Sequence, residues 1–406
     1  MNFRPFQAPH SSARLVLAQL AFATVLVAGC GGGGDAGPGA SGSGGPTAAS
    51  FAAGPITGFG SIIVNGVRFD DSSAHVSNDD GTASSKDKLK LGMTAQIHGG
   101  AISNDGTGPK ATATDIVFGA ALVGPVSAVD TTAKRIVILG QTVLVLDTTV
   151  FDEHLVGGLA GITVGMLVEM HGQLNPTTGT YTATRVGSTM ALAGYKIRGI
   201  VANLDTTAKT FTMGGTLISY AGVTVVPTDL ANSLLLAVRL QTTQVAGAWV
   251  ATRLGAGAPP VGDSAAAHLE GSVTAFTSTT QFSVNGIPVD ASKAELEGGG
   301  TGIVLGAQVE VKGTSSNGVV IATSVSVETH ETVRATGFEL HGAITAIDTV
   351  AQTFVLRELT VSYASPTIFY ERGSAATLAV GVQLEVHGTL SADGTTLQAT
   401  RIAFGS

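Results

Sequence analysis

A chain of 406 residues with 44 % hydrophobic and only 12 % charged residues, and with 55 glycines, points to all-β structure rich in Val, Thr and Gly. Its formal charge of -8, with no basic stripe, is a poor match for a polyphosphate backbone and argues against nucleic acid as a partner. Its one cysteine, Cys30, excludes an intramolecular disulfide, so apolar packing and ladder hydrogen bonds must hold the fold.

The chain opens with Arg4, His10 and Arg14 ahead of an apolar run from Leu15 to Val27 that ends in the small residues Ala28 and Gly29. That run is short for a spanning helix and reads as an export signal over residues 1–29. Val27-Ala28-Gly29-Cys30 resembles the lipobox of bacterial lipoproteins. The resemblance implies cleavage before Cys30 and acylation of that residue, the anchor by which the protein would meet a membrane. Two acyl chains suffice for stable anchoring, because each buried methylene adds about 0.8 kcal/mol. In the lipoproteins the chain resembles, an aspartate after the cysteine commonly holds the protein at the inner membrane. Gly31 stands there, so the expected location is the cell envelope, at the outer membrane. Residues 30–53 have almost nothing to bury and read as a flexible tether of roughly 24 to 29 Å.

From residue 54 onward one unit repeats. Gly54, Gly124, Gly199, Gly271 and Gly342 each open a glycine-plus-aliphatic start, and the copies span 54–118, 122–187, 197–255, 269–327 and 340–404. Copies one and four carry Asn65-Gly66 and Asn285-Gly286 between apolar pairs, a dipeptide that favours a tight hairpin. Copies two, three and five carry turns starting at Asp130, Asp205 and Asp348, whose carboxylates can accept backbone N–H groups two residues on. Copy three is the most diverged, with SLLLAVRLQTT where others show Gly-x-x-Val-Glu-Val-x-Gly. The junction 256–268, rich in Pro and Gly, reads as a hinge. Each copy offers about five period-two stretches, with a bridging segment before the fourth that has room for a short helix. The expected fold is therefore all-β, a tandem array of about five small OB-like β-barrel modules behind a signal peptide and Gly-rich linker. A sandwich of paired copies is the alternative. Modules of this size are marginal alone, so neighbouring copies should pack on one another.

The opening GPITGFGSIIVNGVRFD, with the repeated Gly-x-x-Val-Glu-Val-x-Gly and Ala-Thr-Arg-aliphatic segments, resembles a bacterial family of exported proteins, the domain of unknown function 5666. The resemblance is clearest in copies one, two and five. It implies a secreted or lipid-anchored repeat protein of β-barrel type and carries no catalytic residues to transfer.

The most repeated polar feature lies near each module's end. Glu169 with His171, Glu310 with Lys312, Glu385 with His387, and Gln96 with His98 lie two apart on one strand, opposite the apolar face. Arg185 and Arg401 follow on the next strand. The bland account is a solvent-facing Glu–Arg cross-strand pair, Glu169 with Arg185 and Glu385 with Arg401, worth roughly 0.2–1 kcal/mol each. The sharp one is a Glu-x-His metal pair, but zinc needs three or four ligands and none completes the set within motif spacing. No metal, cofactor or catalytic residue is assigned on these grounds. Loop acids at Asp70, Asp71, Asp79, Asp80, Asp152 and Glu153 would serve a polysaccharide-active enzyme, and calcium on Asn78-Asp79-Asp80-Gly81 lacks the closing glutamate. Trp249 reads as packing before sugar stacking. The reading is non-enzymatic: a lipid-anchored envelope protein displaying modules for binding or structural work, with an envelope glycan or protein as partner. An envelope polysaccharide-active enzyme is the alternative.

Overall fold

The alternation and turn signals fold as five closed rings of strands in a computed structural model that describes residues 49–106, 108–190, 193–328 and 337–405. In barrel 5 the first strand, Phe338–Asp348, pairs antiparallel with Thr353–Leu356, which pairs with Leu359–Ser362. Leu359–Ser362 lies parallel to the last strand, Thr396–Phe404, and Gln383–Leu390 closes the ring between that strand and the first. The same circular order, with third and fifth strands parallel, recurs in barrel 1, barrel 2, barrel 3 and barrel 4. This is the five-stranded Greek-key barrel of the OB type, so the sandwich alternative is set aside. The segment before the fourth strand carries a 3₁₀ turn at Lys86–Lys88, Gly158–Gly161, Glu297–Gly300 and Ala375–Thr377. Copy three closes its ring without the motif, because Leu236, Val238 and Leu240 keep the period-two apolar face that closure requires and are buried.

The turn chemistry acts where the residues place it. Asn65 and Gly66, and likewise Asn285 and Gly286, all take positive φ, as a two-residue hairpin demands. Asp205 accepts the N–H groups of Thr207 and Ala208 at 2.8 Å, and Asp348 those of Val350 and Ala351 at 2.9 Å. The glycines that mark the repeat have a steric reason. The asparagine of the hairpin leans on the first strand, and a Cβ would lie 2.3 Å from Asn65 Oδ1 at Gly54 and 2.0 Å from Asn285 Nδ2 at Gly271.

Apolar burial then joins the barrels. Barrels 1 and 5 share one buried cluster, running from Ile56 and Phe69 to Leu340 and Val386, and barrels 2 and 3 share another. Their first strands pair directly, Lys196 with Val123 and Ile197 with Leu122. Barrel 4 builds its core with Phe51 and Ala53 of barrel 1. Packing therefore links copies distant in the chain as well as neighbours, as small modules need.

Two boundaries differ from the sequence reading. Residues 50–53, assigned to the tether, start the strand Ser50–Phe59. They pair parallel with 266–269 of barrel 4 and antiparallel with 96–99 of barrel 1. Burial on both faces lets small residues such as Ala52 and Ala53 sit in a strand that shows no alternation. The supposed hinge is also structured in part: 264–268 belong to the strand Ser264–Ser278, and Val261 is buried against barrel 4. Residues 1–29, Cys30 and 31–48 of the tether lie outside the described residues. No helix among the described residues is long and apolar enough to cross a membrane.

Candidate functional site

On the first strand of barrel 5, Leu340 turns into the core, so period two sends Glu339 and His341 to the outside. The fourth strand does the same with Glu385 and His387 around Val386. Antiparallel register sets Glu339 opposite His387 and His341 opposite Glu385, and the fifth strand adds Arg401 beside His387. Barrel 1 reaches in from the other side: Gly58 and Phe59 run parallel to Glu339 and Leu340, and Arg68 forks onto the Glu339 carboxylate, with 2.7 Å between Nη2 and Oε2.

The distances make one cluster. His341 Nε2 lies 2.9 Å from Glu339 Oε1 and 3.5 Å from Glu385 Oε2. His387 Nε2 lies 2.6 Å from Glu385 Oε1, and Arg401 donates to that oxygen at 2.8 Å and to Glu371 at 2.5 Å. Burial alone would raise the Glu339 pKa, but bonds from His341 and Arg68 outweigh it and bring it to about 2. Glu385 is lowered too: burial opposes, and His387, His341 and Arg401 prevail. Glu339, His341 and Glu385 each offer a ligand atom, all within 4.8 Å of one another.

The equivalent face of every other barrel is put to a different use. In barrel 3 it bears Lys196, Arg198 and Arg239, and the loop of barrel 1 meets it. Asp79 pairs with Lys196, Asp80 accepts from Arg239 at 2.7 Å, and the Asp80 carbonyl accepts from Arg253 at 3.0 Å. Burial pulls the Lys196 ammonium down to about 8, with Asp79 limiting the fall. The Asn78–Gly81 loop weighed for calcium is thus an electrostatic joint. In barrel 4 the face holds Glu270 opposite Glu310, and burial, then Glu328 and Glu310, raise Glu270 to about 7. Glu310 pairs with Lys312 at 3.0 Å. His98 of barrel 1 packs at a tilt against Phe51, ring centroids 5.2 Å apart.

The two proposed Glu–Arg pairs part company. Glu385 and Arg401 are joined as the alternation implies. Arg185 is instead buried against barrel 1, donating to the Leu91 carbonyl at 3.2 Å, and Glu169 is raised by burial, with Arg185 pulling the other way. A barrel exterior is not solvent once a second barrel covers it. The loop acids do not assemble into one pair. Asp70 accepts the Ser72 N–H at 3.0 Å and Asp71 stays in the same turn. Asp152 accepts from His154 N at 2.9 Å and, with Glu153, lines a cleft of about 170 Å³ with Asp87 and Glu358. Trp249 packs edge-on against Tyr195, centroids 5.5 Å apart.

The residues missed from sequence are Glu339, His341, Arg68 and the basic set of barrel 3. By the repeat's bounds Glu339 falls just before copy five, between 327 and 340. The available signal was Glu-Leu-His at 339–341, echoing Glu-Val-His at 385–387.

A family model, Domain of unknown function (DUF5666), matches residues 123–187, 270–326 and 341–403, which are barrels 2, 4 and 5. Barrels 2, 4 and 5 belong to this family. Copy one, among the clearest by eye, lies outside the matched segments, while copy four lies within them. No curated protein matches the chain. The family's description assigns no chemistry, so the site must speak through its own residues.

Proposed function

We propose that this protein is a lipid-tethered envelope protein whose five barrels form a non-enzymatic body for binding an envelope glycan or protein. The observation that carries the reading is the double pairing of the first strand, Ser50–Phe59, which joins barrel 4 through 50–53 and barrel 5 through 58–59. Such joints make a continuous surface from modules that would otherwise swing apart, which suits a scaffold. The lipobox ending at Cys30 supports the tether and, with Gly31, an outer-membrane address. Acids suited to hydrolysis are matched to cations across barrel boundaries: Asp80 with Arg239, Glu339 with Arg68, Glu358 with Lys90. Membrane fractionation tests the anchor: the unaltered chain should partition with membranes, while Cys30→Ala should stay uncleaved or turn soluble. A Cys30→Ala chain still cleaved and membrane-bound would defeat it.

The enzymatic alternative keeps one observation in its favour, the cleft that gathers Asp87, Asp152, Glu153 and Glu358 from three barrels. Its volume of about 170 Å³ is well below the roughly 300 Å³ at which ligand sites begin. Hydrolysis of envelope polysaccharide that Glu153→Gln abolishes would make this the better reading.

A further inference from the structure

We propose that Glu339, His341 and Glu385 form a binding site for a divalent transition-metal ion, with one coordination position left open, at the seam between barrels 1 and 5. The spacing argues first. Zinc bonds of about 2.0–2.2 Å to imidazole nitrogen and carboxylate oxygen put tetrahedral ligand atoms about 3.3 Å apart. His341 Nε2 stands 2.9 Å from Glu339 Oε1 and 3.5 Å from Glu385 Oε2, so the two edges bracket that value. A single Nε2–H can be aimed at only one of those oxygens, whereas an ion can be bound by all three atoms at once.

The surroundings supply what such a site needs beyond its ligands. Arg401 holds Glu385 by its other oxygen, Oε1, at 2.8 Å, and Arg68 holds Oε2 of Glu339 at 2.7 Å. Each carboxylate is therefore oriented from behind while one oxygen faces His341, the outer-shell arrangement that fixes metal ligands. Arg68 also touches Oε1 of Glu339, and that contact must lengthen as the ion enters. The seam itself shapes the site. Gly60 of barrel 1 lies so close to His341 that a Cβ there would sit 2.4 Å from the ring's Cγ, so the imidazole occupies space the glycine leaves for it. His387 stands with the arginines behind the carboxylates, its Nδ1 3.7 Å from Glu339 Oε2 and its Nε2 2.6 Å from Glu385 Oε1. The ligand class is a hard-to-borderline dication such as zinc or manganese, since the donors are oxygen and imidazole nitrogen with no thiolate.

The full chain, stripped with a chelator and dialysed, is titrated with zinc chloride while bound metal is counted by elemental analysis. One ion per chain is expected, with thermal unfolding shifted upward by zinc through mass action. His341→Gln and Glu385→Gln should each weaken binding by more than about tenfold, because removing even a group that only orients a ligand costs 10–100-fold. His75→Gln, at an exposed position in barrel 1, should bind as the unaltered chain does. Glu385→Gln keeps the side chain's size and an oxygen for Arg401, so it decides the matter should His341→Gln fail to fold. The proposal is overturned if the unaltered chain keeps no stoichiometric zinc after dialysis. Wild-type affinity in a folded Glu385→Gln chain would overturn it equally.

Discussion

In barrel 2, Glu169, His171 and Arg185 occupy the register positions that Glu385, His387 and Arg401 occupy in barrel 5, each histidine standing opposite its arginine. The difference lies in what barrel 1 lays over them. Against barrel 2 it brings the backbone of residues 91–94: Thr94 N donates to His171 Nδ1 at 3.3 Å, and the Gly92 and Leu91 carbonyls accept from Thr184 and Arg185. Against barrel 5 it brings a counter-charge, Arg68. His171 is 1 % and Arg185 7 % exposed, whereas the side chains of His387 and Arg401 are 33 % and 35 % exposed. One motif thus becomes a desolvated joint in one place and an ion-binding candidate in another. Neutral backbone groups cover the first and charged side chains frame the second.

The comparison breaks most easily with acid. Burial, then the charges of Arg185 and Lys196, hold His171 down from 6.5 to about 3. Below pH about 6.5 the unfolded chain takes up a proton that the folded chain refuses until about pH 3. Stability from this group is therefore present in full above 6.5 and falls with pH across that window, by about 1.4 kcal/mol per unit. Urea midpoints at pH 7, 6 and 5 should drop in the unaltered chain and drop less in His171→Gln. Parallel slopes in the two chains would mean that the imidazole is not held neutral.

Arg185→Met comes next in size. It strips the donor from the Leu91 carbonyl and removes the cation that offsets burial at Glu169. A loss of about 1–3 kcal/mol is expected, read by chemical denaturation at neutral pH.

How much of this was legible follows the same division. Strand order, turns and five-fold repetition rest on local signals, such as the Asn-Gly hairpins and the aspartate turns, which act within ten residues of themselves. Even copy three, lacking its motif, closed through Leu236, Val238 and Leu240. What the chain could not disclose is which barrel covers which face. Alternation sets Glu169, Glu385 and Lys196 outside their own barrels but says nothing of Leu91, Arg68 or Asp79, which arrive from a different copy. Ser50 to Ala53 read as tether for a related reason: small residues buried on both faces look like linker. Spacing within one strand completes no metal set, because Glu339 and His341 approach Glu385 from another strand across forty-odd residues.

The smallest effect tests whether the rim of the barrel 5 cluster is as weak as its exposure implies. Arg401 reaches Glu371 at 2.5 Å across parallel strands, with side chains 35 % and 38 % exposed. Water screens charges so placed, and ordering two long side chains offsets much of their attraction, so a coupling of about 0.2–1 kcal/mol is expected. A double-mutant cycle of Arg401→Met and Glu371→Gln isolates that interaction from what each residue does elsewhere. Repeating it at high salt should shrink the coupling, since screening shortens the reach of exposed charges. A salt-insensitive coupling of several kcal/mol would place this pair with the buried joints of barrel 2, and the contrast between the two faces would dissolve.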